Sequence, residues 1–186
     1  MNAPPKLTGK EFEELVIYRA RQMNAAGEWH AGRYGVQVSM TRDPVTGVLT
    51  PQPLKSLPDF EAAIPPNGRQ VVWETKVCSG ASYRVSTENQ RKERQLKHLI
   101  DRAAMGCLCW LVVHFNERRL KTRTDEPFTV AIKVMPDSQL IADVLAAGTK
   151  SLSRSESRLY GRLIPWNTFG PQGRKKHPDL SMLMLD

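Results

Sequence analysis

One apolar run constrains the fold of this chain more than any other feature. The nine residues from Cys107 to Phe115 (CLCWLVVHF) are apolar almost throughout. Such a run is typical of a β-strand that is covered on both faces, because a half-exposed strand alternates between apolar and polar residues. We therefore expect Cys107–Phe115 to be the central strand of a sheet with other elements packed on both sides.

The patterns around this strand predict the order α, several β, α, β, β, α. They predict helices from Thr8 to near Gly27, from Glu88 to Met105 and from Pro136 to before Gly148, and strands at Tyr34–Met40, Asp59–Ile64, Gln70–Val77 and Phe128–Val134. We expect a single domain over 1–186, with a core of about residues 8–148. Residues 43–58 are expected to form a loop or stalk-like protrusion, and 149–186 a partly mobile C-terminal extension.

The most informative segment is a predicted β-hairpin that carries charged residues. Its turn, Pro65-Pro66-Asn67-Gly68, is a strong turn signal, and a regular hairpin around it places Asp59 opposite Glu74. Residues directly opposite in a sheet share a face with Cβ atoms about 4.5–5.5 Å apart. Lys76 lies on the same face, two residues after Glu74. Two carboxylates and an ammonium group are thus predicted to share one patch.

Two readings of this patch remain open. It is either a solvated polar face or a site that binds a cation. Two opposed like charges destabilise a sheet, and apolar neighbours such as Val72 and Trp73 indicate a strand that is buried on at least one side. A hard divalent cation would neutralise the pair, and Mg²⁺ uses one or two carboxylates together with waters and phosphate oxygens. A bulge in the turn would change the register.

The charge of the chain is basic and unevenly distributed. The 27 Lys and Arg residues against 19 Asp and Glu residues give a net charge of +8, and +7 of it follows Lys76, which favours a polyanionic partner. The residues expected to contact such a partner are Arg84, Arg91, Lys92, Arg94, Lys97, Arg118, Arg119, Lys121 and Arg123. For a nucleic acid as this partner, no feature of the sequence indicates contacts to base edges, so recognition of shape is expected.

Composition also disfavours several protein classes. No run of 18 or more apolar residues occurs, and the first residues do not have a secretory layout. Three cysteines cannot all pair, and the four histidines show no zinc spacing. We therefore expect no membrane partner and a cytoplasmic protein, either associated with the nucleoid or in the host cytoplasm if a phage encodes it.

The hairpin residues resemble a known superfamily. Pro58-Asp59, followed at a distance by Glu74-Thr75-Lys76, is similar to the signature of the PD-(D/E)xK nucleases. The resemblance implies an α/β fold with a restriction-endonuclease-like mixed β-sheet flanked by α-helices, and hydrolysis of phosphodiesters by a bound metal. A glutamate of the first helix often joins the metal site in that superfamily, which implies such a role for Glu13.

Within the superfamily, the chain is most similar to RecU-type Holliday junction resolvases. Gln95-Leu96-Lys97-His98-Leu99 resembles the glutamine-containing helix of that family, and the loop from Asp43 occupies the place of its stalk. Ser82-Tyr83-Arg84-Val85 resembles a hydroxyl-aromatic-proline segment, but Arg84 replaces the proline and Arg94 stands where histidine is common. The resemblance implies four-way junction DNA as the substrate and a homodimer that makes two symmetric cuts.

The resemblance and the residues together assign a role to each candidate. Asp59, Glu74, Glu13 and the carbonyl group of Thr75 would bind Mg²⁺, or Mn²⁺ as a substitute. Lys76 would orient the attacking water or stabilise the developing negative charge. Gln95 would support the metal site or contact phosphate, although an exposed helix glutamine is an equal alternative.

Other functions remain open at this point. A flap, restriction-like or single-strand nuclease would use the same chemistry on another substrate. A non-catalytic nucleic-acid-binding module would keep the fold without the chemistry, but the intact Asp59, Glu74 and Lys76 argue against it. A basic structural or ribosome-associated protein would explain the charge and leave the opposed carboxylates unexplained.

Overall fold

Two helices pack on opposite faces of a six-stranded mixed sheet in the computed structural model. The structure describes residues 4–33, 38–42, 44–53, 59–84, 90–137, 151–169 and 175–185. The helices are α1 (Gly9–Ala25), α2 (Gln90–Ala104), α3 (Arg154–Tyr160) and a 3₁₀ helix, η1 (Leu180–Met184). The strands are β1 (His30–Arg33), β2 (Val38–Arg42), β3 (Leu49–Pro53), β4 (Phe60–Ile64), β5 (Arg69–Cys78), β6 (Ser82–Arg84), β7 (Leu108–Phe115), β8 (Arg118–Arg119), β9 (Thr124–Asp125), β10 (Phe128–Val134), β11 (Ser151–Ser153), β12 (Arg162–Ile164), β13 (Trp166–Phe169) and β14 (Lys175–Pro178).

The strand order of the large sheet is β1-β4-β5-β7-β10-β12. All neighbouring pairs are antiparallel except β5 and β7, which are parallel. A parallel pair needs a crossover connection, and α2 lies within the one that joins β5 to β7. The predicted α/β architecture, a mixed β-sheet flanked by α-helices, is confirmed.

Strand β7 has the central position that its sequence predicts. Each of its eight residues is buried, and alternate side chains enter two separate cores, as the pleat requires. Trp110 and Val112 pack with the α1 side chains, whereas Leu111 and Val113 pack with those of α2. The two cores are thus the two faces of one sheet.

Helix α1 begins with a capping box at Thr8, where the sequence predicts the start of the helix. The Thr8 side chain accepts a hydrogen bond from the Glu11 N–H, and Glu11 Oε2 accepts one from the Thr8 N–H at 2.7 Å. These two bonds satisfy amide groups that lack partners within the helix. The apolar stripe Phe12, Val16 and Met23 is fully buried, which attaches α1 to the sheet.

The hairpin of β4 and β5 has the predicted register. Phe60 pairs with Trp73 and Ile64 with Arg69, so Asp59 is the next residue in line and faces Glu74. Gly68 has a φ angle of +68°, a conformation that glycine adopts without the steric cost of a Cβ atom. The turn therefore sets the pairing without a register shift.

The structure differs from the sequence predictions in the region before β4. Residues 43–58 are not a loop throughout, because Leu49–Pro53 forms strand β3, which pairs with β2 in a separate two-stranded sheet; the stalk-like protrusion stays a prediction. The predicted strand Tyr34–Met40 overlaps β2, but residues 34–37 lie outside the described residues. Strand β1, which pairs with β4, was not predicted.

The region after Thr149 is also more than an extension. Strand β12 pairs with β10 at the edge of the large sheet, and Leu180 and Leu183 are fully buried in the α1-side core. The Trp110 indole N–H donates to the Leu183 carbonyl oxygen at 2.9 Å. Described parts of 151–185 thus complete the core. The helix predicted after Pro136 falls mainly on residues 138–150, which lie outside the described residues.

Among the described residues, no helix is long and apolar enough to cross a membrane.

Candidate active site

The two predicted carboxylates meet where β4 begins beside the middle of β5. The Asp59 backbone N–H donates to Glu74 Oε2 at 3.0 Å. In return, Asp59 Oδ2 accepts hydrogen bonds from the Thr75 N–H at 3.1 Å and from Thr75 Oγ1 at 2.8 Å. We refer to Asp59 and Glu74 as the carboxylate pair. Its two members are held by the hairpin backbone itself.

Lys76 and Gln95 lie on the same side of the sheet as the carboxylate pair. The Lys76 ammonium group contacts Glu74 Oε1 and donates to Gln95 Oε1 at 3.3 Å. Gln95 comes from α2 and is only 3% exposed, so it is not the exposed helix glutamine of the alternative interpretation. The structure therefore brings together Asp59, Glu74, Thr75, Lys76 and Gln95, as the sequence predicts.

Burial has a strong effect on Glu74. Glu74 is 1% exposed, and the loss of solvation raises the pKa of its carboxyl group to about 7. The Lys76 ammonium group opposes this shift, and the negative charge of Asp59 adds to it. Glu74 thus carries a proton over part of the physiological pH range.

Glu13 lies on a different element from the carboxylate pair. It is half-buried on α1 and lines an open cavity of about 780 Å³ together with Thr75, Lys76 and Gln95. Within the described ranges, no group of three or more Asp, Glu, His or Cys side chains is arranged to hold a metal ion. Direct coordination by Glu13 beside the carboxylate pair is therefore not supported. A role through bound water stays a prediction.

The residues of the site fit a hard divalent cation with a partial protein shell. Asp59 Oδ2 receives both Thr75 donors, while no donor from the described residues contacts Asp59 Oδ1. Desolvation raises the pKa of Glu74 to about 7 in spite of the adjacent Lys76 ammonium group, so a further positive charge would stabilise the ionised carboxylate. Two carboxylates are the usual protein contribution to a Mg²⁺ site, and waters and phosphate oxygens complete it.

Asn116 is a site residue that the sequence interpretation missed. It is 1% exposed, and its side chain accepts from the Leu7 N–H at 2.7 Å and donates to the Leu7 carbonyl oxygen at 2.8 Å. Its Nδ2 also donates to Ser79 Oγ at 3.0 Å. These bonds hold the segment before α1 against the cavity that Glu13 and Lys76 line.

A signal for Asn116 exists in the sequence. It is the first residue after the apolar strand β7, and Ser79 is the first residue after β5. Polar residues at the carboxyl ends of adjacent parallel strands meet at one edge of a sheet, where ligands of open α/β sheets bind. The signal becomes readable only once β5 and β7 are known to be parallel.

Tyr83 was noted in the sequence but not assigned a role. It is buried on β6, and burial raises the pKa of its phenol, with the negative charge of Glu74 acting in the same direction. Its phenol thus stays protonated. Tyr83 lines a small cavity with Glu74, Lys76 and Gln95, so it forms part of the wall beside the buried Glu74 carboxylate.

The predicted DNA-binding residues fall into two groups. Arg84, Arg94 and Lys97 are exposed, and Arg91 and Lys92 lie in α2 with side chains outside the described part. The second group follows β7, and much of its charge is paired. The pairs are Arg118 with Asp125 at 4.0 Å, Arg123 with Asp125 at 3.2 Å and Arg119 with Glu117 at 2.8 Å, whereas Lys121 is exposed. DNA contact by each of these residues remains a prediction.

Comparison with solved structures finds a similarity to an archaeal protein. The chain is similar to Hjc, a Holliday junction resolvase from the archaeal hyperthermophile Archaeoglobus fulgidus, with a TM-score of 0.44 and 15% sequence identity over 83% of this chain and 95% of that one. No protein-family model and no curated protein matches the chain. A similarity this weak does not assign a function, which depends here on the residues of the site.

Proposed function

We propose that this protein is a metal-dependent, structure-specific DNA endonuclease, and that it is a Holliday junction resolvase acting on branched DNA. The observation that supports this most is the buried carboxylate pair with the Lys76 ammonium group beside it. A solvated polar face would not bury Glu74 to 1% exposure, because an ionised carboxylate is costly to desolvate unless positive charge compensates it.

The residues have the following roles in this proposal. Asp59 and Glu74 would hold Mg²⁺ or Mn²⁺, with the Thr75 carbonyl as a further ligand and Glu13 acting through water. Such an ion would supply Lewis-acid chemistry for the scissile phosphate and for a water molecule of lowered pKa. Lys76 stabilises the negative charge that develops on the phosphate, and Gln95 holds the Lys76 ammonium group in place.

Resolution of a four-way junction requires two symmetric cuts. We therefore propose that two copies of the chain act as a twofold homodimer, with one site on each of two strands. The RecU-type resemblance of residues 95–99 supports this choice of substrate over flap, restriction-like or single-strand nucleases. Matched linear, flap and four-way substrates distinguish these activities, because only a resolvase makes paired nicks at the junction.

Substitution of Glu74 tests the proposed site. Glu74→Ala should abolish Mg²⁺-dependent cleavage of a synthetic four-way junction while DNA binding in EDTA is largely retained. Glu61→Ala, which removes a carboxylate elsewhere on the same hairpin, should cleave like the unmodified protein. An unchanged cleavage rate in Glu74→Ala would reject the site, and binding without any metal-dependent cleavage by the unmodified protein would indicate a non-catalytic module.

A further inference from the structure

A second basic surface lies outside the proposed site. A groove of about 460 Å³ is lined by arginines from two distant parts of the chain. Arg118 and Arg123 come from the connection after β7, and Arg154 and Arg158 come from α3. We call these four residues the arginine groove. Sequence interpretation assigned no role to α3.

The arginine groove has an excess of positive charge. The Asp125 carboxylate is shared by Arg118 at 4.0 Å and Arg123 at 3.2 Å, and Glu126 also lines the groove. In the part of the chain that the structure describes, neither Arg154 nor Arg158 forms a salt bridge with a carboxylate. Four guanidinium groups against two carboxylates leave a net charge of +2 in the groove.

The two arginines of α3 are held in place by the protein. The Arg154 guanidinium donates to the Asn116 carbonyl oxygen at 2.9 Å and also to the Glu126 carbonyl oxygen. It lies 5.0 Å from the centroid of the Phe128 ring, and the exposed Arg158 guanidinium lies 4.2 Å from the same centroid. A guanidinium group that stacks on an aromatic ring loses less entropy when it binds a phosphate in the bidentate manner.

The arginine groove is joined to the proposed site through Asn116. The Arg154 guanidinium donates to the Asn116 carbonyl oxygen. Asn116 in turn lines the cavity that Lys76 and Gln95 also line. A chain of phosphates that passes the carboxylate pair can therefore continue along the same edge of the sheet. An acidic peptide lacks the continuous phosphate backbone that would extend from the arginine groove to the carboxylate pair.

We propose that the arginine groove binds backbone phosphates of the DNA strand that extends from the active site, with Arg158 as a direct contact. The inference rests on the proposed function for the identity of the ligand. It assigns to α3 the task of holding one arm of the substrate, so that the scissile phosphate reaches the carboxylate pair in a defined register.

The test measures binding of a labelled synthetic four-way junction in EDTA, where no cleavage occurs, over a range of salt concentrations. Each phosphate contact contributes about −0.9 to the slope of the logarithm of the binding constant against the logarithm of the salt concentration. At about 0.1 M salt, the loss of one contact therefore weakens binding about eightfold. Arg158→Ala should therefore bind about eightfold more weakly, with a slope smaller by about 0.9. Arg158→Lys should keep the slope, because its charge is retained.

Arg21→Ala is the matched control, since it removes an exposed arginine from α1 on the opposite face of the sheet. If Arg158→Ala and Arg21→Ala bind alike, the proposal is overturned. It is also overturned if polyglutamate binds as tightly as the junction and depends equally on Arg158. Arg158-dependent binding without Mg²⁺-dependent cleavage would reject the nuclease and keep the groove, whereas cleavage with no effect of Arg158 would do the reverse.

Discussion

Metal binding at the carboxylate pair should be coupled to the release of a proton. The pKa of Glu74 is raised to about 7 by burial, and a carboxyl group must be ionised to coordinate a metal. About one Glu74 in eleven is ionised at pH 6 and about ten in eleven at pH 8. The apparent affinity for Mg²⁺ should then be about tenfold weaker at pH 6 than at pH 8, or about 1.4 kcal/mol.

The comparison with an ordinary glutamate makes this prediction specific. A glutamate side chain in water has a pKa of 4.5 and is ionised almost fully at both pH values, so its affinity for metal would hardly change. Titration calorimetry in buffers of different ionisation enthalpy counts the protons released. We expect about 0.9 proton per ion at pH 6 and about 0.1 at pH 8.

Two variants separate the contribution of Glu74 from that of the rest of the chain. Glu14→Gln, an exposed position on α1, should reproduce the pH dependence of the unmodified protein. Glu74→Gln should bind Mg²⁺ weakly at both pH values, with no proton release. Equal affinities at pH 6 and pH 8 in the unmodified protein, with no proton release at either pH, would refute the reasoning about Glu74.

Three further predictions concern stability. In the metal-free protein, the folded state keeps a proton on Glu74 that the unfolded chain releases as the pH rises above 4.5. The free energy of unfolding, measured with urea, should therefore fall by up to about 3 kcal/mol between pH 5 and pH 8. Glu74→Ala should lose this pH dependence. Leu99→Ala removes a fully buried side chain of α2 and should cost about 2–5 kcal/mol in the same assay; a cost below about 1 kcal/mol would contradict the packing of α2 on the sheet. Thr8→Ala breaks the capping box and should cost about 1 kcal/mol, whereas Lys10→Ala, an exposed position of α1, should stay within about 0.5 kcal/mol; equal effects would show that the cap does not stabilise α1.

Local patterns were sufficient for much of the fold and for most of the candidate site. Residues close together in the chain determine three of its features: the capping box of α1, the apolar run of β7 and the turn that ends at Gly68. The register that places Asp59 opposite Glu74 depends on that turn alone, and Lys76 shares their face because strand side chains alternate. For these reasons the carboxylate pair was predictable.

Contacts between distant residues required the folded chain. The sequences of β5 and β7 do not predict that the two strands pair in parallel. This pairing brings Ser79 and Asn116 to one edge of the sheet. The bonds between Leu7 and Asn116 join residues 109 positions apart, and no local pattern marks them. The burial that raises the pKa of Glu74 also arises from packing against α2 and β6. Short-range patterns select the elements and the hairpin, whereas long-range packing sets the solvation of the site and assembles the arginine groove.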